Sequence, residues 1–205
     1  MRAGAAIIFA AIVIGTGSPR LLNAAPDARP TLAPPRIAAG LPKLTVSSSS
    51  FRNGGTIPAK EALKGCGGSD GPHGESIDLR WSAGPAATKS YVVTVFDTDA
   101  PTGSGFWHWI AFNIPATVRS LRLDASESGM PEGTLQGRND YGFIGYGGPC
   151  PPPGDPAHHY YVTVSALKVA KVPEAAAGAS GALVTFFMDP NVIAQGKLLG
   201  RYAQP

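Results

Sequence analysis

A chain of 205 residues with 26 Gly, 20 Pro and only 15% charged residues favours many turns and short strands over a bundle of helices. Its 43% hydrophobic content is enough for a core and its glycines follow no three-residue period, which excludes the disordered and collagen-like classes. Residues 1–25 contain two arginines and no acid, so their removal lowers the formal net charge from +3 to +1, a balance that predicts no nucleic-acid or membrane partner.

Residues 1–25 have the pattern of a secretion signal. One arginine precedes an uncharged apolar run, Ala3–Gly15, and Leu22–Ala25 supplies small residues for cleavage. The apolar run is shorter than the roughly 20 residues of a membrane span, and an uncleaved anchor is the alternative. Residues 26–42 are rich in Pro and Ala and predict an extended linker, so we expect the folded domain over residues 43–205.

Export would place the chain in the periplasm or outside the cell, without a stable membrane anchor once the signal is cleaved. An exported chain with an even number of cysteines favours a disulfide, here between Cys66 and Cys150. Two free thiols are the alternative, and the distance between the two residues in the fold decides between them.

Runs of β-branched and aromatic residues predict strands over Leu44–Ser48, Ile77–Trp81, Tyr91–Phe96, Phe106–Ile114 and Tyr160–Val169. Apolar residues at helical spacing predict one helix over Gly178–Met188, which Asp189-Pro190 ends. Residues 126–140 indicate a long ordered loop, and the end of the chain to about Tyr202 fits either a strand or a short helix. The pattern as a whole predicts an antiparallel β-sandwich-like domain with a helix on its edge.

The two central strands carry the first candidate site. Asp97 and Asp99 follow the strand that ends at Phe96, and His108 lies inside the next strand. Side chains alternate along a strand. Alternation therefore predicts one face with Phe106, His108 and Ile110, and another with Trp107, Trp109 and Ala111. Ionisable groups are costly to bury without partners, which makes this stretch a candidate site. The alternative is a core histidine bonded to a backbone carbonyl, with aspartates that cap a turn.

A second cluster follows in Gly147–Tyr160, where a Gly- and Pro-rich loop leads into two histidines and a tyrosine. Free backbone N–H groups in a glycine loop, with histidine and tyrosine donors, suit a phosphate or a carboxylate. Strand alternation places His158 and Tyr160 on one face and directs His159 away. A solvated loop at the start of a strand is the alternative interpretation.

Motifs for other chemistry are absent from the sequence. It contains no Gly-x-Ser-x-Gly, no P-loop, no Gly-x-Gly-x-x-Gly after a strand and no Cys-x-x-Cys, so we expect no cofactor and no nucleophilic catalysis. A metal site formed by His108, His158 and Asp97 is a weaker alternative, because their spacing matches no recognisable local pattern.

Five motifs in order resemble the phosphatidylethanolamine-binding protein family, in its bacterial Raf-kinase-inhibitor-like branch. They are Asp97–Pro101, Gly105–Trp109, Asn113–Pro115, Arg138–Gly142, and Gly148–Pro152 with His158–Tyr160. The similarity extends from about Leu44 to Tyr202. It implies a mostly β fold, with a large antiparallel sheet packed on a smaller sheet and peripheral helices.

The resemblance also implies a small pocket that accepts phosphate, acetate, cacodylate or a phospholipid headgroup. The residues that match the family's pocket motifs are Asp97, His108, Pro152, His158 and Tyr160, with Trp107 and Gly148 at the rim. Exported members often have cysteines at the positions of Cys66 and Cys150, which supports the disulfide.

Two positions depart from the family pattern. His159 stands where the family has Arg, and Gly74–Ile77 replaces the usual Asn-x-Ser-Pro.

Taken together, the sequence predicts an exported, non-catalytic protein that binds a small anionic or phosphorylated ligand. One alternative is an inhibitor of a protease or kinase partner that acts through its surface. Another is a weak hydrolase with His108 as base.

Overall fold

The computed structural model describes residues 32–33, 40–68 and 71–205. The predicted signal, residues 1–25, and most of the predicted linker lie outside the described residues. The described chain forms nine strands, β1 (Val46–Ser47), β2 (Gly55–Thr56), β3 (Leu79–Trp81), β4 (Ser90–Asp97), β5 (Phe106–Pro115), β6 (Ser120–Leu121), β7 (Leu135–Gln136), β8 (His158–Leu167) and β9 (Val192–Tyr202). It also forms two α-helices, α1 (Ala125–Ser128) and α2 (Gly181–Met188).

The strands form two sheets. A six-stranded sheet has the order β2-β9-β8-β4-β5-β7, and a three-stranded sheet has the order β1-β3-β6. All pairs are antiparallel except β2 with β9, which is parallel. This arrangement confirms the predicted fold class of a large sheet with a smaller one.

The main core lies between the two sheets. Leu79 and Trp81 of the small sheet belong to the same buried cluster as Val95, Trp109 and Val162 of the large sheet. Every residue of β4 is buried, as its unbroken apolar and β-branched sequence predicts for a strand covered on both faces. Burial of these side chains is the main stabilising contribution to the fold.

The other face of the large sheet is covered by α2. Val184 and Met188 of the helix join a second buried cluster with Ile110 and Phe112 of β5. The predicted helix is confirmed, but it begins at Gly181 because Ser180 is its N-cap and accepts a hydrogen bond from the Leu183 N–H at 3.2 Å. The helix lies over the face of the large sheet and not on the edge of the sheet, because the apolar residues of the helix need a buried surface to pack against.

Short elements are the ones that the sequence patterns missed. The predicted loop over residues 126–140 overlaps α1 and contains β7, each too brief to show a helical or alternating period. The ambiguous end of the chain is a strand, β9, preceded by a 3-10 turn at Asp189–Asn191.

A β-bulge at His108 corrects the predicted alternation in β5. Val95 pairs with Trp109 and Phe96 pairs with Trp107, so His108 is the additional residue between them. His108 and Trp109 both point towards the core between the sheets, where the His108 ring lies 5.1 Å from the ring of Tyr160. Trp107 packs against the cluster beneath α2 instead, together with Ile110. The predictions that Trp107 and Trp109 share a face, and that His108 and Ile110 do, are therefore wrong.

Cys66 and Cys150 form a disulfide, as the sequence predicts, with Cα atoms 5.2 Å apart. The bond fastens the loop that begins at Gly147 to the turn around Cys66. The Tyr202 hydroxyl donates to the Cys66 carbonyl at 2.7 Å, so the end of β9 supports the same junction.

Across the part of the chain that the structure describes, no helix has both the length and the apolar character needed to cross a membrane.

Candidate functional site

Three neighbouring strands bring the two predicted clusters together at one edge of the large sheet. β4 ends at Asp97, while β5 and β8 begin at Phe106 and His158. β4 lies between β8 and β5 and is antiparallel to both, so its end meets the starts of its neighbours. Asp97 pairs in register with Phe106 on one side and with Tyr160 on the other. Asp97 and His158, which are 61 residues apart in the sequence, therefore meet at this edge.

A pocket of about 200 Å³ opens at this edge. Four of the predicted site residues line it: Asp97, His108, Pro152 and His158. The aromatic rings of Phe106 and Tyr141 complete much of the wall, with Pro101, Thr102, Cys150 and Pro151 among the remaining contributors.

A hydrogen bond between Asp97 and His158 is the centre of the site. The His158 Nδ1–H donates to one oxygen of Asp97 at 2.8 Å, and both side chains are buried. The other Asp97 oxygen accepts the backbone N–H groups of Asp99 at 2.8 Å and Ala100 at 3.2 Å. The turn after β4 therefore fixes the carboxylate, and the carboxylate in turn fixes the orientation of the imidazole.

Two carboxylates favour the charged form of His158. Burial alone would lower its pKa, but the hydrogen bond and charge of Asp97, together with Asp155, outweigh burial and raise the pKa above the ordinary value of 6.5. Its second nitrogen, Nε2, lies 3.4 Å from an Asp155 oxygen. An imidazolium at this position offers its Nε2–H to an acceptor at the pocket.

His108 has the opposite protonation preference. Its Nδ1–H donates to the Gly147 carbonyl at 2.7 Å, because a carbonyl oxygen only accepts. Burial, opposed by the Asp97 charge and by backbone hydrogen bonds, lowers the pKa of His108 below 6.5. Neutral His108 therefore presents an unprotonated Nε2, which accepts a hydrogen bond.

Asp155 is a site residue that the sequence analysis missed. Its N–H donates to the Pro152 carbonyl at 3.1 Å, and Gly154 has φ of +85°, as position three of a type II turn requires. The turn returns the Asp155 carboxylate towards the histidine three residues later. An acid three residues before His158, with Pro-Gly between Pro152 and the acid, is the signal that could have identified it.

Tyr160 lies behind the pocket and is not part of its lining. Its ring packs edge-on against His108, and the residue is fully buried. Its hydroxyl lies beside the Asp97 carboxylate. Burial, and then the nearby Asp97 carboxylate, raise the pKa of Tyr160, so the hydroxyl keeps its proton.

The glycine loop does not offer free N–H groups at Gly147 and Gly148. The Gly147 N–H donates to the His108 carbonyl and the Gly148 N–H to the His73 carbonyl, both at 2.8 Å. The expectation that these backbone groups bind an anion is therefore wrong at these two positions. Gly148 is instead required by packing, since a Cβ there would collide with the backbone of Glu61–Leu63. Its carbonyl accepts from the Tyr141 hydroxyl at 2.9 Å, which positions that ring in the wall.

Trp107 and His159 lie outside the pocket. The bulge places Trp107 on the α2 side of the large sheet, where it lines a separate groove. His159 points away from His158, as alternation predicts, and its Nδ1 lies 2.7 Å from an Asp99 oxygen. Because Asp99 also accepts the His159 N–H, at 2.6 Å, this histidine supports the turn in which Asp97 is held.

The donor set at this edge of the sheet offers few free groups to a metal ion. Over residues 32–33, 40–68 and 71–205, no three His, Cys, Asp or Glu side chains are grouped so that they could hold one. The two Asp97 oxygens and His158 Nδ1 already bond to each other or to backbone N–H groups.

Comparisons with known proteins agree with this architecture. The UPF0098 protein YbcL of Escherichia coli (strain K12) is 44% identical over 160 residues, which cover 77% of this chain and 86% of YbcL. The UPF0098 protein YbhB of the same organism is 40% identical over 158 residues, which cover 76% of this chain and 98% of YbhB.

Two solved structures have a similar fold. The crystal structure of E. coli YbcL, described as a new member of the mammalian PEBP family, matches with a TM-score of 0.72 and 42% identity and covers 80% of this chain and 99% of that one. A PEBP homologue from Chlamydia trachomatis matches with a TM-score of 0.66 and 32% identity, with the same coverage. The profile of the family described as phosphatidylethanolamine-binding protein matches residues 47–203. This chain therefore belongs to the phosphatidylethanolamine-binding protein family.

Proposed function

We propose that the chain is an exported, non-catalytic binding protein whose pocket takes a small oxyanion, such as phosphate or a phosphorylated headgroup. The observation that carries the proposal is the buried Asp97–His158 hydrogen bond of 2.8 Å in a pocket of about 200 Å³. It holds a charged imidazole ready for an anionic oxygen. A volume of this size suits a small group and not a large molecule.

The protonation states of the two histidines favour an oxyanion that still carries one proton. Charged His158 donates through Nε2–H to an anionic oxygen of the ligand. Neutral His108, whose Nδ1–H is bonded to Gly147, accepts through Nε2 from a ligand O–H. Monoprotonated phosphate and phosphate monoesters provide both groups, whereas a fully deprotonated oxyanion gives His108 no donor.

Asp155 competes with the ligand for His158. Its carboxylate lies 3.4 Å from the Nε2 atom that an anion would use. The Asp155 carboxylate carries a negative charge, as the ligand does, so its presence lowers the affinity for a bare anion. An arriving oxyanion must displace this carboxylate or share the donor with it, so the pocket selects ligands that make additional hydrogen bonds.

The groups around the pocket favour binding over catalysis. Among the described lining residues, the Thr102 hydroxyl donates to the Gly105 carbonyl at 2.6 Å and the Tyr141 hydroxyl donates to Gly148. Cys150 is in the disulfide and has no thiol. Among these described lining residues, none is thus arranged as a nucleophile with a neighbouring base, which is the requirement for covalent hydrolysis.

Export is supported by two independent features. Residues 1–25 have the composition of a secretion signal, and Cys66 and Cys150 form a disulfide of the kind that persists in oxidising compartments.

Replacement of His158 tests the pocket directly. We expect His158→Ala to weaken the binding of phosphate by at least about tenfold, since a hydrogen bond to a charged group contributes about 1.5–3 kcal/mol. Isothermal titration calorimetry measures the change. His159→Ala is the matched control, because its ring points away from the pocket and the variant keeps the backbone N–H that donates to Asp99, so it should retain the wild-type affinity. Equal losses in the two variants, or no saturable binding by folded wild type, would contradict the proposal.

Replacement of Asp155 should strengthen binding. In Asp155→Asn the competing negative charge is removed while the turn is kept, so the affinity for phosphate and for sulfate should rise by between about threefold and tenfold. Asp189→Asn, on the α2 side of the sheet, removes the same charge at a remote position and should leave both affinities unchanged. An unchanged or weaker affinity in Asp155→Asn would show that the carboxylate does not compete.

The export prediction is tested by mass spectrometry of the chain produced in a bacterial host with its N-terminal segment. The expected product is found in the periplasmic fraction, lacks approximately residues 1–25 and contains no titratable thiol. A full-length product confined to the cytoplasm would refute export.

A further inference from the structure

A second concave surface, which shares no lining residue with the pocket, lies on the α2 side of the large sheet. It is a groove of about 790 Å³ between α2 and the start of β5. Its apolar lining comprises Trp107, Phe186, Phe187 and Pro190. Trp107 supports the helix from below, because Gly181 lies directly on its ring, where a Cβ would collide.

Phe186 is the most unusual residue of this groove. Val184 and Met188 direct one side of α2 into the core, so Phe186 projects outwards and is 73% exposed. The rings of Phe186 and Phe187 contact each other edge-on with centroids 5.2 Å apart. An exposed aromatic residue that adjoins a concave apolar surface is typical of a protein interaction site, where aromatic residues supply most of the binding energy.

The charges of the groove are of one sign. Of its described lining residues, Asp140 and Asp189 are the charged ones, and both are acidic. Asp140 is held in place because one of its oxygens accepts the Trp107 N–H at 2.8 Å and its own N–H donates to the Trp107 carbonyl at 2.9 Å. A positioned carboxylate next to an apolar wall complements a cationic side chain beside an apolar one.

We propose that this groove binds a segment of another protein in which an aromatic or aliphatic residue adjoins a lysine or arginine. A second copy of this chain fits poorly, because a two-fold contact through the groove would bring Asp140 and Asp189 of the two copies close together. An anionic lipid surface is disfavoured for the same electrostatic reason. The proposal does not rest on the anion pocket, with which the groove shares no lining residue.

Selection of short peptides from a random phage-displayed library, with the full-length protein as bait, tests this surface. The expected result is enrichment of peptides that contain an aromatic or aliphatic residue next to Lys or Arg. Binding of a synthetic enriched peptide is then measured by fluorescence anisotropy. Phe186→Ser should weaken it by at least about tenfold, and Asp189→Asn by severalfold with a smaller dependence on salt.

Two control variants separate the groove from the rest of the surface. Ile144→Ser changes another exposed apolar residue, 51% exposed and outside the groove lining, and should leave peptide binding intact. Asp155→Asn, in the anion pocket, should also have no effect. Because Phe186 is largely exposed, Phe186→Ser is expected to fold normally, and a thermal melt checks this.

Several outcomes would overturn the proposal. One is a library without enrichment of basic-apolar peptides, and another is an equal loss of binding in Phe186→Ser and Ile144→Ser. Sedimentation that shows a wild-type dimer and a Phe186→Ser monomer would assign the groove to a second copy. Binding to vesicles that contain phosphatidylglycerol, abolished by Phe186→Ser, would assign it to a membrane surface.

Discussion

The buried hydrogen bond between Asp97 and His158 determines the chemistry of this edge of the fold. Both groups are removed from water, so each depends on the other, and loss of either partner would leave an unpaired polar group. The bond also joins the end of β4 to the start of β8, and the turn that follows β4 supplies two N–H groups to the same carboxylate. Fold and site are thus connected through one carboxylate, which the antiparallel order of β8, β4 and β5 places beside the imidazole.

Two histidines a short distance apart have opposite protonation preferences because their partners differ. His158 faces two carboxylates and His108 faces a carbonyl in a buried bulge. His158 makes its full contribution to the free energy of unfolding below pH 6.5. That contribution is lost as the pH rises through the raised pKa of His158. The pH dependence of His108 is opposite. Its contribution to the free energy of unfolding is present above pH 6.5 and is lost as the pH falls towards the lowered pKa of His108. A donor and an acceptor thereby coexist in one pocket near neutral pH.

Sequence patterns predicted three of the four long strands, β4, β5 and β8, together with helix α2 and the disulfide, and left β9 open between a strand and a short helix. Four of the residues named from the sequence and the family resemblance, Asp97, His108, Pro152 and His158, line the pocket. Alternation along the strand starting at His158 correctly separated His158 from His159, because β8 pairs with β9 there without a register shift. The same rule failed in β5, where the bulge at His108 adds a residue that no local pattern reveals and moves Trp107 away from the pocket. Asp155 and the bonded N–H groups of Gly147 and Gly148 were also missed, since tertiary contacts decide which polar groups stay available. The ligand-binding roles of the site residues remain predictions.

The most direct test of this account is a histidine titration followed by long-range ¹H–¹⁵N NMR. Near pH 6.5, His158 should be protonated on both nitrogens and should titrate above that value. His108 should be neutral at the same pH, with a proton on Nδ1 and none on Nε2, and should titrate below it. The spectrum of Asp97→Asn should show the pKa of His158 decreased. Titration of His108 above pH 6.5, or of His158 below it, would contradict the central claim that Asp97 and burial hold the two rings in different states.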